Sequence, residues 1–265
     1  MTPTSEIPKH LPEPILEVIV GSTLHGTSVD DGLEDLDIMA ITVEDAKNFI
    51  GFAPKDTWVW RTKPDGARSE AGDIDLSIYG LRKYLSLALK GNPTILLALF
   101  APREFIKRYD SRGSRLQELA PHIISQQVYK PFRGYMTQQH ERLLGLRGQR
   151  NVTRPELVNK YGYDTKYAGH IVRLGVQGIE ILTTGRVTLP MKQADRDLVL
   201  SVRTGKYKLA EVSELIIAAE EGIEHAFKES PLPLWPDQAV VEDWMMTTYT
   251  ETWKARAISG KALKL

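Results

Sequence analysis

Residues 73–79 read Asp-Ile-Asp-Leu-Ser-Ile-Tyr, which sets Ile74, Leu76 and Ile78 on one side of an extended chain and Asp73, Asp75 and Ser77 on the other. That period of two is the pattern of a half-buried strand. From Leu81 the apolar residues recur at three- and four-residue spacing, the pattern of a helix, until Gly91-Asn92-Pro93 breaks it. This change of period constrains the fold more than any other feature. Strand signals lie upstream of it, at residues 15–20, 36–41 and 57–60, and helical signals dominate downstream.

A further apolar helix is expected to start at the Asn92-Pro93 turn, with Pro93 in its first turn and Asn92 as its cap. Residues 126–145, 164–183, 209–228 and 237–257 carry apolar side chains at helical spacing. In the last of these Val240, Val241, Trp244, Met245 and Thr248 form a stripe suited to a core or helix contact. The run Pro231-Leu232-Pro233-Leu234-Trp235-Pro236 reads as a rigid connector into it. No internal repeat occurs. The predicted architecture is a small mixed α/β unit followed by a helical unit, with residues 1–115 and 116–265 as the two parts.

A chain of 265 residues with 42% hydrophobic content can bury a substantial core. Thirty-four basic and thirty-four acidic side chains cancel, which excludes a uniformly cationic coat for nucleic acid. The charges are unevenly placed, however. Residues 1–100 hold nine basic and fifteen acidic side chains, residues 101–175 fourteen and six, and residues 176–265 eleven and thirteen. The basic middle suits a polyanionic partner or simply a soluble face.

The absence of cysteine excludes disulfide frameworks, thiol catalysis and cysteine-based zinc sites. Residues 1–6 lack the basic and apolar regions of a secretory signal, and residues 95–101, the longest apolar run, are too short to span a membrane. A soluble cytoplasmic protein is expected.

Several motifs fail on inspection. Gly21 and Gly26 have the spacing of a phosphate loop, but Thr27 stands where its lysine belongs. His140-Glu141 opens a zinc-protease motif that Leu144 breaks. What remains is an ordered set: a strand, Gly21-Ser22, Asp35-Leu36-Asp37 opening a second strand, and Asp73-Ile74-Asp75 opening a later one. Asp35 and Asp37 share a face because side chains alternate. Two converging carboxylates repel unless a cation sits between them, and hard oxygen ligands suit Mg²⁺ or Mn²⁺. A third carboxylate from an adjacent strand would complete a two-ion site, and Gly21-Ser22 would let backbone amides and a hydroxyl approach phosphate oxygens. Together these parts suit phosphoryl or nucleotidyl transfer.

This ordered set resembles the signature of the DNA polymerase β-type nucleotidyltransferase superfamily. The chain is similar, more narrowly, to the branch of predicted nucleotidyltransferases that accompany RNA ligases in phage and bacterial RNA repair. The runs Tyr79-Gly80-Leu81-Arg82-Lys83-Tyr84, Lys90-Gly91-Asn92-Pro93-Thr94, Lys160-Tyr161-Gly162-Tyr163-Asp164-Thr165-Lys166 and His170-Ile171-Val172-Arg173-Leu174 extend the likeness over residues 15–245.

The resemblance implies a polymerase β-like core of α/β (α+β) class with a mixed sheet, completed by a helical C-terminal domain. It implies two Mg²⁺ or Mn²⁺ ions held by Asp35, Asp37 and Asp75, with Asp73 as the alternative third carboxylate. Gly21 and Ser22 would hold the phosphates of an NTP, ATP among the candidates, and His25 could touch the nucleotide. Lys166, His170 and Arg173, with Tyr163, recur at helical spacing opposite an apolar stripe, either as a solvated face or as a clamp on phosphate or nucleic acid; the resemblance favours the clamp. Arg82 and Lys83 are either helix surface or phosphate contacts. The implied reaction moves a nucleoside monophosphate from an NTP to an acceptor hydroxyl with release of pyrophosphate. An RNA end, such as that of damaged tRNA, is the implied acceptor and an RNA ligase the pathway partner. A protein side chain or small molecule as acceptor, and a non-catalytic nucleotide- or RNA-binding module, are the alternatives.

Overall fold

Each predicted strand forms, and the strand Ile74–Gly80 shows in its burial the alternation that its sequence carries. A computed structural model of the protein describes Pro8 and residues 11–29, 35–63, 72–146 and 154–259. The first six residues, and residues 30–34 of the connection between Gly21-Ser22 and Asp35, lie outside the described set.

The elements run β1 (Leu16–Ile19), α1 (Gly21–His25), β2 (Leu36–Thr42), α2 (Ala46–Ile50), β3 (Thr57–Arg61), β4 (Ile74–Gly80), α3 (Leu81–Leu89), α4 (Leu97–Phe100), β5 (Ile106–Tyr109) and α5 (Ser111–Glu118). They continue as α6 (Ala120–Ile123), α7 (Tyr129–Leu143), α8 (Pro155–Tyr161), α9 (Thr165–Thr184), α10 (Gln193–Arg203), α11 (Leu209–Lys228) and α12 (Gln238–Ile258). The strands form one sheet in the order β3-β4-β2-β1-β5, mixed because β2 and β4 run parallel while every other neighbour is antiparallel. The expected α/β class, with a mixed sheet followed by helices, is therefore the observed one.

Several elements depart from the sequence reading, among them α2, α5, α6, α8 and α10, which it did not foresee. The strand β5 carries one buried side chain, Ile106, followed by Lys107, Arg108 and Tyr109, so it shows no alternation; backbone pairing to β1 makes it a strand. Gly21-Ser22 is not a simple bend but the start of the five-residue helix α1. The helix expected after Pro93 is only Leu97–Phe100, because residues 93–96 form turns. Asn92 does cap those turns, its Oδ1 accepting from the Thr94 and Ile95 amides at 3.1 and 3.2 Å.

The two faces of the sheet are unlike. Leu36, Ile38 and Ala40 of β2 join Ile74, Leu76, Ile78, Trp58 and Trp60 in a small apolar cluster on one side. On the other, Met39 and Ile41 join the main core, which continues through Leu81, Tyr84 and Leu85 of α3 into the helices. The helix α9 is the spine of that core. Its Ile171, Val172, Leu174, Ile181 and Leu182 are buried, with α7, α10 and α11 packed around it. Burying each such side chain contributes about 1.5–3 kcal/mol. The proline-rich connector is held rigidly, as expected: the Gln126 amide donates to Pro233 O at 2.9 Å, and the Gln127 side chain to Leu234 O at 2.9 Å. Among the described residues no helix is long and apolar enough to cross a membrane.

Asp110 fixes the start of α5, its Oδ1 accepting from the amides of Arg112 and Gly113 at 2.8 and 3.2 Å. Partial burial acts to raise this carboxyl, but the Arg112 guanidinium and the Arg112 and Gly113 amides together outweigh burial and hold it below the ordinary 3.8. Asp110→Ala is expected to cost about 1 kcal/mol, measured as a shift in the denaturant midpoint. Because the folded value is depressed, the difference from the parent should be complete above pH 3.8 and fade as pH falls through the lowered folded value.

Candidate active site

The sheet register assembles the acidic group. Parallel pairing of β2 with β4 sets Asp37 directly opposite Asp75, and Asp35 lies two residues before Asp37 on the same face. Carboxylate oxygens of Asp35, Asp37 and Asp75 lie within 4.8 Å of one another, and all three side chains are half-buried. At such separations each like-charged pair costs about 3 kcal/mol for an effective dielectric near ~20. Arg61 offsets part of this, its Nε standing 3.0 Å from Asp75 Oδ1 because the antiparallel register of β3 and β4 sets residue 61 against residue 75. The three carboxylates nevertheless stay grouped. Their donor set, all hard oxygens gathered at one point, fits a divalent cation such as Mg²⁺ or Mn²⁺.

Asp73 is placed elsewhere. It precedes β4 and faces β3's end, accepting from the Thr62 hydroxyl at 3.0 Å and pairing with Lys63 at 3.1 Å. Of the two carboxylates that the sequence left open, Asp75 is the one in the cluster.

Gly21 lets the backbone approach the acids. Its φ is +69°, and a Cβ built there would stand 2.2 Å from Asp37 Oδ2. Only glycine fits both the left-handed conformation and the space. The next residue, Ser22, accepts from the Ser28 hydroxyl at 3.4 Å, and both Gly21 and Ser22 line the cleft.

Across that cleft, whose volume is about 420 Å³, stand Lys166, His170 and Arg173 of α9 and Arg203 of α10. The size lies in the range of ordinary ligand pockets. Thus the structure brings together on one cleft Gly21, Ser22, His25, Asp35, Asp37, Asp75, Lys166, His170 and Arg173. On the side of α9 opposite its apolar stripe, the half-buried Lys166, His170 and Arg173 line this cleft. Tyr163 does not join it. Asp164 caps α9 by accepting from the Tyr167 amide at 2.9 Å, so residue 163 lies outside the helical period; its side chain is buried and donates to Tyr207 O at 2.7 Å. Arg82 and Lys83 also lie away from the acids. The Arg82 guanidinium sits 4.1 Å over the Phe49 ring and Lys83 pairs with Asp56 at 3.6 Å.

Two cleft residues escape sequence reading. Arg61 depends on strand register. Arg203 reaches the cleft by crossing α9 at Gly169, where a Cβ would stand 2.5 Å from Arg203 Cγ, and its guanidinium donates to Thr27 O.

The imidazoles here are neutral. Burial, with Arg173 nearby, pulls His170 down to about 3. Burial, then Arg173 and His170, holds His25 well below 6.5. Burial and Arg203 lower Arg173 only to about 10, so its charge persists at neutral pH. An unfolded histidine takes up its proton near 6.5, whereas folded His170 resists until about 3. Stability is therefore expected to fall as pH drops from 6.5 towards 3. His170→Gln, which keeps an acceptor for Arg173, should flatten that slope in denaturation curves taken across the interval.

The family described as RNA repair pathway DNA polymerase beta (RlaP) matches residues 9–239 of the chain. No curated protein matches it. Among solved structures, a nucleotidyltransferase-like protein from Exiguobacterium sibiricum 255-15 aligns with 14% identity over 82% of this chain and 70% of that one, at a TM-score of 0.28.

Proposed function

This chain belongs to the RNA repair pathway DNA polymerase beta family, a family of nucleotidyltransferases, and from that membership we propose that it moves a nucleoside monophosphate from an NTP to the hydroxyl of an RNA end, releasing pyrophosphate. The observation that carries this reading is the meeting of three carboxylates, within 4.8 Å of one another, with the cations of a single cleft. Asp35, Asp37 and Asp75 would hold Mg²⁺ or Mn²⁺, two ions in this reading. Divalent ions bound there would supply Lewis acidity at the phosphoryl group and acidify the acceptor hydroxyl.

The chain's own residues do the rest. The Gly21-Ser22 start of α1 brings its amides and hydroxyl up to the phosphates. Lys166 and Arg173 supply positive charge for the triphosphate, with the His170 imidazole beside them as a neutral partner, and Arg203 adds a second guanidinium from α10. His25 supports this wall from within, since it is buried and accepts from Gln177. Residues 1–115 thus provide the acids, and residues 116–265 the phosphate-binding cations.

An RNA acceptor, tRNA among the candidates, fits the family's repair pathway and the basic stretch 101–175. An RNA ligase fits as pathway partner. The test is a screen of four labelled NTPs, ATP first, against total RNA and against cell protein with Mg²⁺. Label in RNA supports the reading. Label only in protein or small molecules overturns the acceptor, and no label in any pool overturns the activity.

A further inference from the structure

A hydrogen-bond chain of forced polarity runs behind the phosphate side of the cleft. Arg173 donates from one terminal nitrogen to His170 Nδ1 at 2.7 Å and from the other to the side-chain oxygen of Gln177 at 2.7 Å. A guanidinium has no acceptor, so both partners must accept. That orientation turns the Gln177 amide nitrogen towards His25 Nδ1, 3.1 Å away, which must accept in turn. The protons of both imidazoles therefore sit on Nε2.

The chain orients Arg173 without neutralising it. Among the described residues no carboxylate pairs with this guanidinium. It bonds one neutral imidazole and one amide, with a second neutral imidazole behind the amide, and the charged group that acts on it is another cation, Arg203. Even a half-buried charge is costly to keep without a counter-ion. Gln177 is itself 2% exposed and touches the guanidinium where a glutamate of nearly the same shape would cancel its charge.

We propose that Gln177 is a positioning residue that holds Arg173 in place while leaving its charge unpaired, so that a phosphate group of the ligand supplies the missing counter-ion. This rests on the phosphate-binding reading of the cleft. The amide also links α9 to α1 through His25, so the guanidinium and the Gly21-Ser22 turn are set relative to each other by one side chain.

The test compares Gln177→Glu and Gln177→Met in the full chain, using inorganic tripolyphosphate without metal as the probe and calorimetric binding together with thermal melting as the readouts. Gln177→Glu should pair internally with Arg173, and because a carboxylate only accepts, the His25 proton should move from Nε2 to Nδ1 to keep that bond. The expected result is a melting midpoint at or above the parent's and tripolyphosphate affinity reduced at least tenfold. Gln177→Met removes the positioning bond without supplying a charge, and should weaken binding less than Gln177→Glu does. Gln177→Glu binding as tightly as the parent, melting lower, or failing to fold would overturn the proposal. So would equal weakening in both variants, which is what a merely structural glutamine predicts. A parent that does not bind tripolyphosphate overturns the phosphate-binding reading and this proposal with it. A binding parent with an unaffected Gln177→Glu overturns the proposal alone.

Discussion

Replacing Asp35 and Asp37 together by alanine is expected to reduce Mg²⁺-dependent nucleotidyl transfer by at least about 10³-fold while leaving the fold intact. The loss follows from geometry, because two of the three carboxylates that meet within 4.8 Å disappear and Asp75 is left with Arg61 as its partner at 3.0 Å. Stability should not fall with activity. The substitution relieves repulsion among half-buried like charges, so the melting midpoint should be no lower than the parent's. Calorimetric titration with Mn²⁺ should lose its signal in the double variant. Undiminished turnover would overturn the mechanism, and retained turnover with lost Mn²⁺ binding would separate catalysis from the metal.

Gly21→Ala should have the next largest effect. Two costs add at this position. A left-handed conformation costs a residue with a Cβ about 1–2 kcal/mol, and the Cβ would stand 2.2 Å from Asp37 Oδ2, so the carboxylate must move. A displacement of about 1 Å at a catalytic group is enough for a ~10²-fold loss. Transfer is therefore expected to drop at least that far, along with a lower melting midpoint. Gly162→Ala separates the two costs. Gly162 has φ +83° and nothing within 4 Å of an added Cβ, so it carries the backbone strain alone. Its midpoint should fall while transfer holds. If Gly21→Ala loses no more transfer than Gly162→Ala, the close approach to Asp37 has no catalytic role.

Legibility of the fold followed the strength of local periodicity. β4 could be read to within a residue because Ile74, Leu76 and Ile78 alternate with polar neighbours, and α11 because its apolar residues keep helical spacing over twenty positions. β5 could not, since its strand character resides in backbone pairing that any side chain allows. Tyr163 was misplaced for a related reason: a helical period extended one residue beyond the Asp164 cap assigns it to the wrong side. Gln177 drew no notice because one polar residue between Val176 and Gly178 looks like a fault in an apolar stripe, whereas its partner His25 lies 152 residues away.

The same division holds for the site. Asp35 and Asp37 lie on one strand face, so local alternation was enough to set them together, whereas the Gly21-Ser22 turn meets them through the antiparallel pairing of β1 with β2. The choice of Asp75 over Asp73 awaited the parallel register of β2 with β4, which places residue 75 against residue 37 and sends Asp73 to Lys63. Arg61 and Arg203 entered through strand pairing and through a glycine on α9 that lets a neighbouring helix side chain cross. The chain by itself determined four of its five described strands, its longer helices and the chemistry of its acids, because those depend on residues within a few positions of one another. Which carboxylates share a cation, and which cations face them, was decided only by tertiary packing, since register and helix crossing depend on the whole core and leave no local period to read.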